Sequence, residues 1–532
     1  MASDNEGAEL VEAFSFSTAW TKTILLAFIT ATLALWVTLR RQNKISKRGE
    51  TLVDKLPGPM AFPVLGNALN LRVQNEDFNN LIGDLGRKWG GLLRVWYFNN
   101  PWIIVTSADD VQNLYSSPSA KHLCDKTDEI DITKRVIGTG LYNRDANIYH
   151  ERRKLLNQGY GISLIRKSIP KINYRSALLV KSFKRFAETG ESVNTYPIMI
   201  NSAIQLIWDS LFAKNYEEDA PKDVTDYAKA MNAMSFHHTN RIFQPWLRTD
   251  FIFNLTQGAK LAEAGIHFLN DFGKKSVRER REIWQIKRAL TKPTKEDGVD
   301  KDWECYLDFL FELEEKGLLT EQDVVNEFAV FTVGGYETTG ITLTNLLFLL
   351  AHSPEKQKKV VEELDEIFGK GFDASNFQVT MNEVKQMKYL DFCLKEALRI
   401  YPPLSMSPKK VTEDILLDDG RVIPAGVQLF VSMYWCHRDP KYFPKPEEFI
   451  PERFSPDSEF YKEKGSYAYI PFSVSPRNCI GQNYGIANLK VYLAYLLKAY
   501  EWTAVTPRER LKMTYQYTSH PKNIFMKLKP RI

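Results

Sequence analysis

Cysteine is scarce in this chain of 532 residues, which has only five, and no two of them form a Cys-x-x-Cys pair. Structural zinc sites and iron–sulfur clusters use closely spaced cysteines, so the sequence predicts neither. The odd number and wide spacing also argue against a disulfide framework and favour a reducing compartment. We expect most of these residues to be small buried apolar side chains. The five are Cys124, Cys305, Cys393, Cys436 and Cys479.

The chain also has little excess charge of either sign, with 70 Lys and Arg against 65 Asp and Glu and a net charge of +5. Proteins that bind nucleic acid concentrate basic residues on one face, so no nucleic-acid partner is predicted. The sequence contains no internal repeat and no low-complexity segment. A hydrophobic content of 44% is ordinary for a globular chain of this length, which is long enough for one large or two medium domains.

Residues 23–39 form an uncharged apolar run near the amino terminus. At about 1.5 Å per residue the run reaches about 25 Å, at the short end of a transmembrane helix. Five Lys and Arg residues follow within 40–48, whereas only Lys22 precedes the run, and this asymmetry places the following chain in the cytosol. A cleaved signal peptide is the alternative, but it needs a basic start, which residues 1–19 lack. We therefore predict a lumenal segment 1–22, a single-pass anchor 23–39 and a basic, proline-rich linker 40–66.

Within that linker, Leu56-Pro57-Gly58-Pro59 predicts a stiff, bent connector and not a helix. It is either a hinge that sets the tilt of the domain on the membrane or a plain linker.

Residues 67–532 are predicted to form one domain that is mainly α with small β-sheets. A hairpin is expected over 92–106, where two apolar runs are separated by Asn99-Asn100-Pro101. Long amphipathic patterns predict helices over most of 109–398, with a Lys-rich surface loop at 287–301. A second strand-rich region is predicted over 408–433.

The helix that should be most buried begins after a capping box, Thr320-Glu321-Gln322-Asp323, and is apolar nearly all round. Its middle contains Gly334-Gly335-Tyr336-Glu337-Thr338-Thr339. Two glycines cost about 1 kcal/mol each in a helix interior, and a carboxylate there is costly unless it is hydrogen-bonded. Such local conflicts are expected at functional sites. The chemistry that fits is proton delivery by Glu337 and Thr338; a kinked core helix whose glutamate reaches solvent is the alternative.

Two further segments carry a possible ion cluster. A second capping box, Thr380-Met381-Asn382-Glu383, opens a helix on which Glu396 and Arg399 share a face, and Pro402-Pro403 ends it. Alone, such a pair is usually solvated. Arg453 stands in a proline-bounded loop downstream, and the three residues form a structural cluster if Arg453 meets Glu396.

The most informative segment is Pro471-Phe472-Ser473-Val474-Ser475-Pro476-Arg477-Asn478-Cys479-Ile480-Gly481, which precedes a helix predicted over 482–499. A cysteine at a loop-to-helix junction gains amide donors and the positive helix end, which favour the thiolate. Arg477 can meet a nearby anion. One thiolate ligand beside cations fits haem iron, whose propionates need positive partners, whereas an ordinary loop cysteine is the alternative.

Taken together, these segments resemble the cytochrome P-450 superfamily over nearly the whole chain. The resemblance implies the P-450 fold with one N-terminal transmembrane helix, and a non-covalent haem b. It implies that Cys479 is the axial ligand of the haem iron and that Glu337 and Thr338 are the acid and alcohol that protonate bound oxygen. Glu396, Arg399 and Arg453 match the structural triad.

The same resemblance assigns the haem propionates to four side chains. Arg477 matches a propionate-binding arginine. Tyr149 and Arg153 resemble the propionate clamp of the family, with Tyr149 in place of its tryptophan. Lys409 falls where an arginine usually contacts the other propionate, and it lacks the bidentate fork of arginine.

Within the superfamily the chain is similar to the animal family-four branch of fatty-acid ω-hydroxylases, through phrases such as Gly138-Thr139-Gly140-Leu141 and Arg152-Arg153-Lys154-Leu155-Leu156. Some members of that branch ester-link their haem through a glutamate at the position of Gly334, so no covalent bond is expected here. The family usually has glycine at the position of Ser475, and this departure bears on haem affinity.

The resemblance implies a haem-thiolate monooxygenase that inserts one atom of O2 into a lipophilic substrate, such as a fatty acid, a terpenoid or steroid, or a xenobiotic. NADPH–cytochrome reductase is the expected electron donor, with cytochrome b5 as a second partner. Arg152, Lys154 and Lys490 are candidate docking cations. The expected location is the endoplasmic reticulum membrane, with the catalytic domain in the cytosol. A haem-containing isomerase or dehydratase and a non-catalytic haem carrier or sensor are the alternatives.

Overall fold

The computed structural model describes residues 45–123, 133–216, 222–290, 303–459, 467–474 and 477–531, together with Thr23, Leu26, Ala27 and Thr30. The predicted anchor 23–39 therefore lies almost entirely outside the described residues, as do Cys124 and Ser475. Among the helices of the described part, none is both long enough and apolar enough to cross a membrane.

Helices make up most of the described chain, as the sequence predicts. In chain order they are α1 (Lys47–Asp54), α2 (Phe78–Trp89), α3 (Ala108–Ser116), α4 (Lys134–Ile137), α5 (Ala146–Asn157), α6 (Ile162–Thr189), α7 (Thr195–Phe212), α8 (Lys222–Phe243), α9 (Asp250–Asn254), α10 (Gln257–Leu290), α11 (Tyr306–Glu315), α12 (Glu321–Ala351), α13 (Pro354–Phe368), α14 (Met381–Gln386), α15 (Lys388–Ile400), α16 (Met433–Cys436) and α17 (Gln482–Ala499).

The strands are short and form small sheets. They are β1 (Leu92–Tyr97), β2 (Asn100–Val105), β3 (Val193–Asn194), β4 (Met406–Lys410), β5 (Ile415–Leu416), β6 (Val422–Ile423), β7 (Gln428–Ser432), β8 (Tyr500–Ala504), β9 (Lys512–Tyr515), β10 (Ser519–Lys522) and β11 (Phe525–Pro530). The largest sheet has the order β1-β2-β7-β4, and the others are β3-β11-β8, β10-β9 and β5-β6. The hairpin and the second strand region are thus confirmed, with Pro101 opposite Trp96 in the antiparallel pair β1–β2.

α12 is the central helix, and most of its residues are buried. Its capping box is confirmed, since the Thr320 hydroxyl accepts the Asp323 N–H and the Asp323 carboxylate accepts the Thr320 N–H. The helix runs without interruption through Gly334 and Gly335. α7 packs closely against it there, because a Cβ on Gly335 would lie 2.6 Å from Ile207 Cδ1.

The structure differs from the sequence expectation over part of 45–66, whereas Leu56-Pro57-Gly58-Pro59 is not helical, as predicted. Residues 47–54 form α1, with the Ser46 hydroxyl as its N-cap, and Val53 and Leu56 are buried in the core beside the largest sheet. The Arg94 N–H of β1 donates to the Pro57 carbonyl at 2.8 Å. This part of the expected linker therefore packs on the domain, because its apolar residues have a partner surface that the local pattern does not reveal.

Two other boundaries also differ. α10 continues to Leu290, so the start of the predicted loop at 287 is helical, and residues 291–302 lie outside the described part. The helix that bears Glu396 does not begin at the second capping box. That box is present, but it begins the short helix α14. Met387 is not helical and separates α14 from α15.

Candidate active site

The Cys479 thiol lies at the end of the segment that leads into α17, as the sequence predicts. α17 begins at Gln482 with Gly481 as its N-cap, and the Cys479 N–H donates to the Phe472 carbonyl at 3.0 Å. Three other cysteines, Cys305, Cys393 and Cys436, are buried, whereas Cys479 is exposed. The sequence therefore correctly predicted that most of the described cysteines are buried.

The Cys479 thiol can be reached by solvent, but protein surrounds it. Burial raises the pKa of the thiol, whereas the Gly481 N–H and the Arg153 guanidinium lower it. Burial has the larger effect, whereas the amide donor acts in the direction that the sequence predicts. A metal ion that binds the sulfur deprotonates it and reverses this balance.

Helix α5 lies against the cysteine segment through Tyr149 and Arg153. Arg153 donates to the Tyr149 hydroxyl at 2.9 Å, to the Asn478 carbonyl at 2.8 Å and to the Asn478 side chain at 3.2 Å. The Arg477 guanidinium stacks over the Tyr149 ring at 3.9 Å and donates to the Arg144 carbonyl. The structure thus brings together three of the four predicted propionate-binding residues. Lys409 lies in β4 opposite Leu429, and its side chain is buried.

The middle of α12 has an open face. Ala329, Val330, Val333, Gly334, Glu337 and Thr338 are exposed or half-buried, although the rest of this central helix is mostly buried. A Cβ added to Gly334 would meet no atom within 4 Å, and one added to Gly481 would meet only the Tyr160 hydroxyl and the Cys479 sulfur.

Tyr160 connects the cysteine segment to this part of α12. Its hydroxyl would lie 3.5 Å from a Cβ on Gly481, and its ring stacks on Phe331 with centroids 5.0 Å apart. Phe331 lies one turn before Gly334 on α12. The thiol and the open face of the helix are therefore linked by one tyrosine ring.

The Glu337 carboxyl has a raised pKa. Burial raises the pKa of its carboxyl to about 7, although the nearby Thr518 hydroxyl lowers it in part. The Thr338 hydroxyl donates to the Gly334 carbonyl at 2.9 Å, four residues earlier on the same helix. A carboxyl with a pKa near neutral can both give and accept a proton at physiological pH.

Glu396, Arg399 and Arg453 meet in the structure. Arg399 donates to both oxygens of Glu396 at 2.8 Å, and both side chains are fully buried. Arg453 Nε lies 3.4 Å from a Glu396 oxygen. Arg399 also donates to the His437 and Glu448 carbonyls, so the cluster joins α15 to the loops that precede the cysteine segment.

Two of the three candidate docking cations are not available at the surface. Arg152 pairs with Asp323 at 3.1 Å and its side chain is only 10% exposed. Lys490 is buried, and its ammonium lies 2.9 Å from the Asp391 carboxylate and donates to two backbone carbonyls. Only Lys154 is exposed. The prediction was wrong for Arg152 and Lys490, because local sequence does not reveal a carboxylate partner on another helix.

The comparisons with known proteins identify the family. The family model for cytochrome P450 matches residues 56–528. The chain belongs to the cytochrome P450 family. Among its relatives are cytochrome P450 4c3 of Drosophila melanogaster, 32% identical over 92% of both chains, and cytochrome P450 4V2 of Homo sapiens, 29% identical over 88% of this chain and 89% of the relative. Cytochrome P450 4c21 of Blattella germanica is 30% identical over 90% of this chain and 93% of the relative.

This P450 is a haem-thiolate monooxygenase, and its cofactor is non-covalent haem b. The residues present fit that group, because the Cys479 thiol is accessible, the Arg477 side chain two residues earlier is buried, and the space beside Gly334 is open. Cys479 would hold the iron and Arg477 would hold a propionate. When bound, the haem supplies an iron at which O2 is activated, with a thiolate that favours O–O cleavage.

Sequence reasoning missed the burial of Glu327 and the ion pairs of Asp323, both on α12. Glu327 is a fully buried carboxyl on α12, and Asp323 pairs with both Arg144 and Arg152. The signal for Glu327 was present, since it is a carboxylate in an apolar helix, as Glu337 is. For Asp323, the sequence predicted its part in the capping box but not its ion pairs with Arg144 and Arg152.

Proposed function

We propose that this P450 hydroxylates a lipid-like substrate, with electrons that pass one at a time from NADPH through a membrane-bound flavin reductase. The observation that carries the proposal is the open face of α12. It presents the apolar Ala329 and Val333 beside the acid–alcohol pair Glu337 and Thr338. An apolar surface next to a proton donor favours binding of a hydrocarbon chain where oxygen is activated. Fatty acids, terpenoids or steroids, and xenobiotics all meet this description.

In this proposal Glu337 and Thr338 deliver protons to the oxygen site. The raised pKa of Glu337 leaves a large fraction of the carboxyl protonated at neutral pH, so it can donate. Thr338 holds its hydroxyl on the Gly334 carbonyl, where it can orient water next to the open face. Arg477, Tyr149, Arg153 and Lys409 are the proposed propionate ligands.

We also propose that the enzyme works at the cytosolic face of the endoplasmic reticulum membrane. Large apolar side chains are exposed on the N-terminal segment and on the chain around α9, and the Arg72 guanidinium over the Trp246 ring at 4.9 Å joins the two regions. The predicted anchor 23–39 would add a second attachment. The exposed residues are Met60, Phe62, Leu69, Trp246, Phe251 and Leu255.

The test is a difference spectrum of the ferric enzyme against a panel of fatty acids, terpenoids and steroids, followed by turnover with NADPH and the reductase. We expect at least one lipid to displace water from the iron and to give a hydroxylated product with matching NADPH consumption. Product formed without NADPH would instead favour an isomerase or dehydratase. Binding without any product would contradict the proposed reaction.

A further inference from the structure

Glu327 has a fully buried carboxyl group, and the proposed reaction does not use it. It lies on α12, N-terminal to the open face, and it has no exposed surface. Both of its oxygens accept the Leu141 N–H, at 3.0 and 3.1 Å. A buried carboxyl is costly unless its bonds do something for the structure or the site, so the element that it holds is informative.

That element is the segment 138–144, which lies directly against α12. A Cβ on Gly138 would stand 2.1 Å from Asn326 Oδ1, and one on Gly140 would stand 2.7 Å from Val330 Cγ2. Gly138 also has a φ of +54°, which favours glycine. The backbone of the segment therefore contacts α12 directly, with no room for a side chain at Gly138 or Gly140.

The far end of the segment reaches the cysteine segment. The Arg144 side chain pairs with Asp323, one turn before Glu327 on α12. The Arg144 carbonyl accepts a hydrogen bond from Arg477, two residues before Cys479. The segment 138–144 is thus fixed to α12 at two points, and it fixes Arg477 in turn.

We propose that Glu327 is a positioning residue for Arg477. By accepting the Leu141 N–H it holds the segment 138–144 on α12, so that the Arg144 carbonyl stands where the Arg477 guanidinium donates to it. This contact fixes the position of the Arg477 side chain, which is the proposed propionate ligand. The inference rests on haem binding and is independent of the substrate.

The charges around Glu327 agree with this role. Burial raises the pKa of its carboxyl to about 7, whereas the Leu141 N–H, Arg152 and Arg144 lower it and Asp323 raises it. Tyr306 faces the same carboxyl from α11, and burial and Glu327 raise the pKa of that phenol. Because burial favours the neutral form of the carboxyl, glutamine is a close mimic of that form.

The test measures how fast the holoenzyme releases haem to excess apomyoglobin. Glu327→Leu removes both acceptors, and Glu327→Gln keeps one acceptor for the Leu141 N–H. Leu141→Pro removes the donor without touching Glu327, and it suits the first position of a 3₁₀ turn that follows the extended Gly140. Leu141→Ala keeps the N–H but loses the same buried side chain, so it is the matched control.

We expect haem release to be about tenfold faster in Glu327→Leu and in Leu141→Pro, because each leaves a buried group unsatisfied. Glu327→Gln should restore a rate near that of the wild type, and Leu141→Ala should change it little. The double variant Glu327→Leu/Leu141→Pro should release haem no faster than either single variant. Resonance Raman spectra should show a shifted propionate bending band only in the fast variants.

Wild-type release rates in both Glu327→Leu and Leu141→Pro would overturn the proposal. Equal acceleration in Leu141→Ala and Leu141→Pro would also overturn it, because the cause would then be general destabilisation. If Glu327→Leu does not fold, the comparison of Leu141→Pro with Leu141→Ala tests the proposal by itself. Absence of haem from the wild-type protein would instead contradict the haem assignment, so the two failures are distinguishable.

Discussion

At the scale of single residues, Gly334 and Gly335 are neighbours in sequence with opposite surroundings. Gly335 is small because α7 lies against it, with Ile207 Cδ1 2.6 Å from the position of a Cβ. Gly334 faces open space. Both glycines are costly in a helix interior, and the structure gives a packing reason for Gly335 alone.

Alanine at the two positions should therefore act in opposite directions. Gly335→Ala should lower the free energy of unfolding by about 1–3 kcal/mol, because the added methyl overpacks the contact with Ile207. Gly334→Ala should leave it unchanged or raise it by up to about 1 kcal/mol, through the better helix propensity of alanine. Urea denaturation of both variants measures the difference, and equal destabilisation would contradict it.

The adjacent threonines allow a second matched comparison. Thr338 and Thr339 each donate to the carbonyl four residues earlier, but Thr338 lies on the open face of α12 and Thr339 is buried. Thr338→Ala should lower the product formed per NADPH by about tenfold and raise peroxide formation, because the relay loses its hydroxyl. Thr339→Ala should leave this coupling unchanged. Equal coupling in both variants would contradict the relay.

At the scale of secondary structure elements, the N-terminus of α15 is capped by a residue on another helix. α15 has no N-cap side chain of its own, and the Glu363 carboxylate of α13 accepts the N–H groups of Lys388, Tyr389 and Leu390 at 2.6–3.0 Å. This contact fixes the helix that presents Glu396 and Arg399.

Removal of this cap should destabilise the protein. Glu363→Ala should lower the free energy of unfolding by about 1–2 kcal/mol, as loss of an N-cap does. The control is Glu362→Ala on the same helix, where an exposed pair with Lys358 at 3.8 Å should contribute less than about 0.5 kcal/mol. Thermal or urea denaturation distinguishes the two, and a smaller effect for Glu363→Ala would contradict the assignment.

Local signals explain which elements could be predicted from the sequence. The capping boxes at Thr320 and Thr380, the hairpin at 92–105 and the bounds of α17 depend on residues close in sequence, and all are present. The break at Met387 depends on Glu363, 24 residues earlier, so no local pattern reveals it. α1 was missed because its apolar residues are few and its partner surface is distant in sequence.

The same distinction holds for the site. The proposed roles of Glu337 and Thr338 rest on their conflict with local rules, and that of Cys479 rests on its place before a helix and on the family resemblance. None of these signals needs a tertiary contact. The contacts of Arg152, Lys490 and Arg144 with buried carboxylates and carbonyls depend on chain segments far apart. Their roles could therefore be assigned only from the fold.

At the scale of the whole molecule, two glutamates of α12 have raised pKa values, and these make the stability of the fold depend on pH. Burial raises the pKa of both Glu327 and Glu337 to about 7, well above the ordinary value of about 4.3. Between these pH values the folded state keeps protons that the unfolded state has released, so the stability they give is present at low pH and is lost as pH rises through about 7.

The melting temperature should therefore fall less between pH 5 and pH 7.5 in Glu337→Gln than in the wild type. Glutamine cannot ionise, so its burial costs the same at both pH values. Calorimetry of the wild type, Glu337→Gln and the surface control Glu362→Gln measures the effect. If the melting temperature of Glu337→Gln falls with pH as much as that of the wild type, the raised pKa of Glu337 is contradicted.

The assignment of Cys479 as the iron ligand is the claim on which the whole account depends. The most direct measurement is the absorption spectrum of the reduced enzyme with carbon monoxide, in the wild type, in Cys479→Ala and in the buried control Cys436→Ala. We expect the band that gives the family its name in the wild type and in Cys436→Ala, and its loss in Cys479→Ala. Persistence of that band in Cys479→Ala would contradict the account.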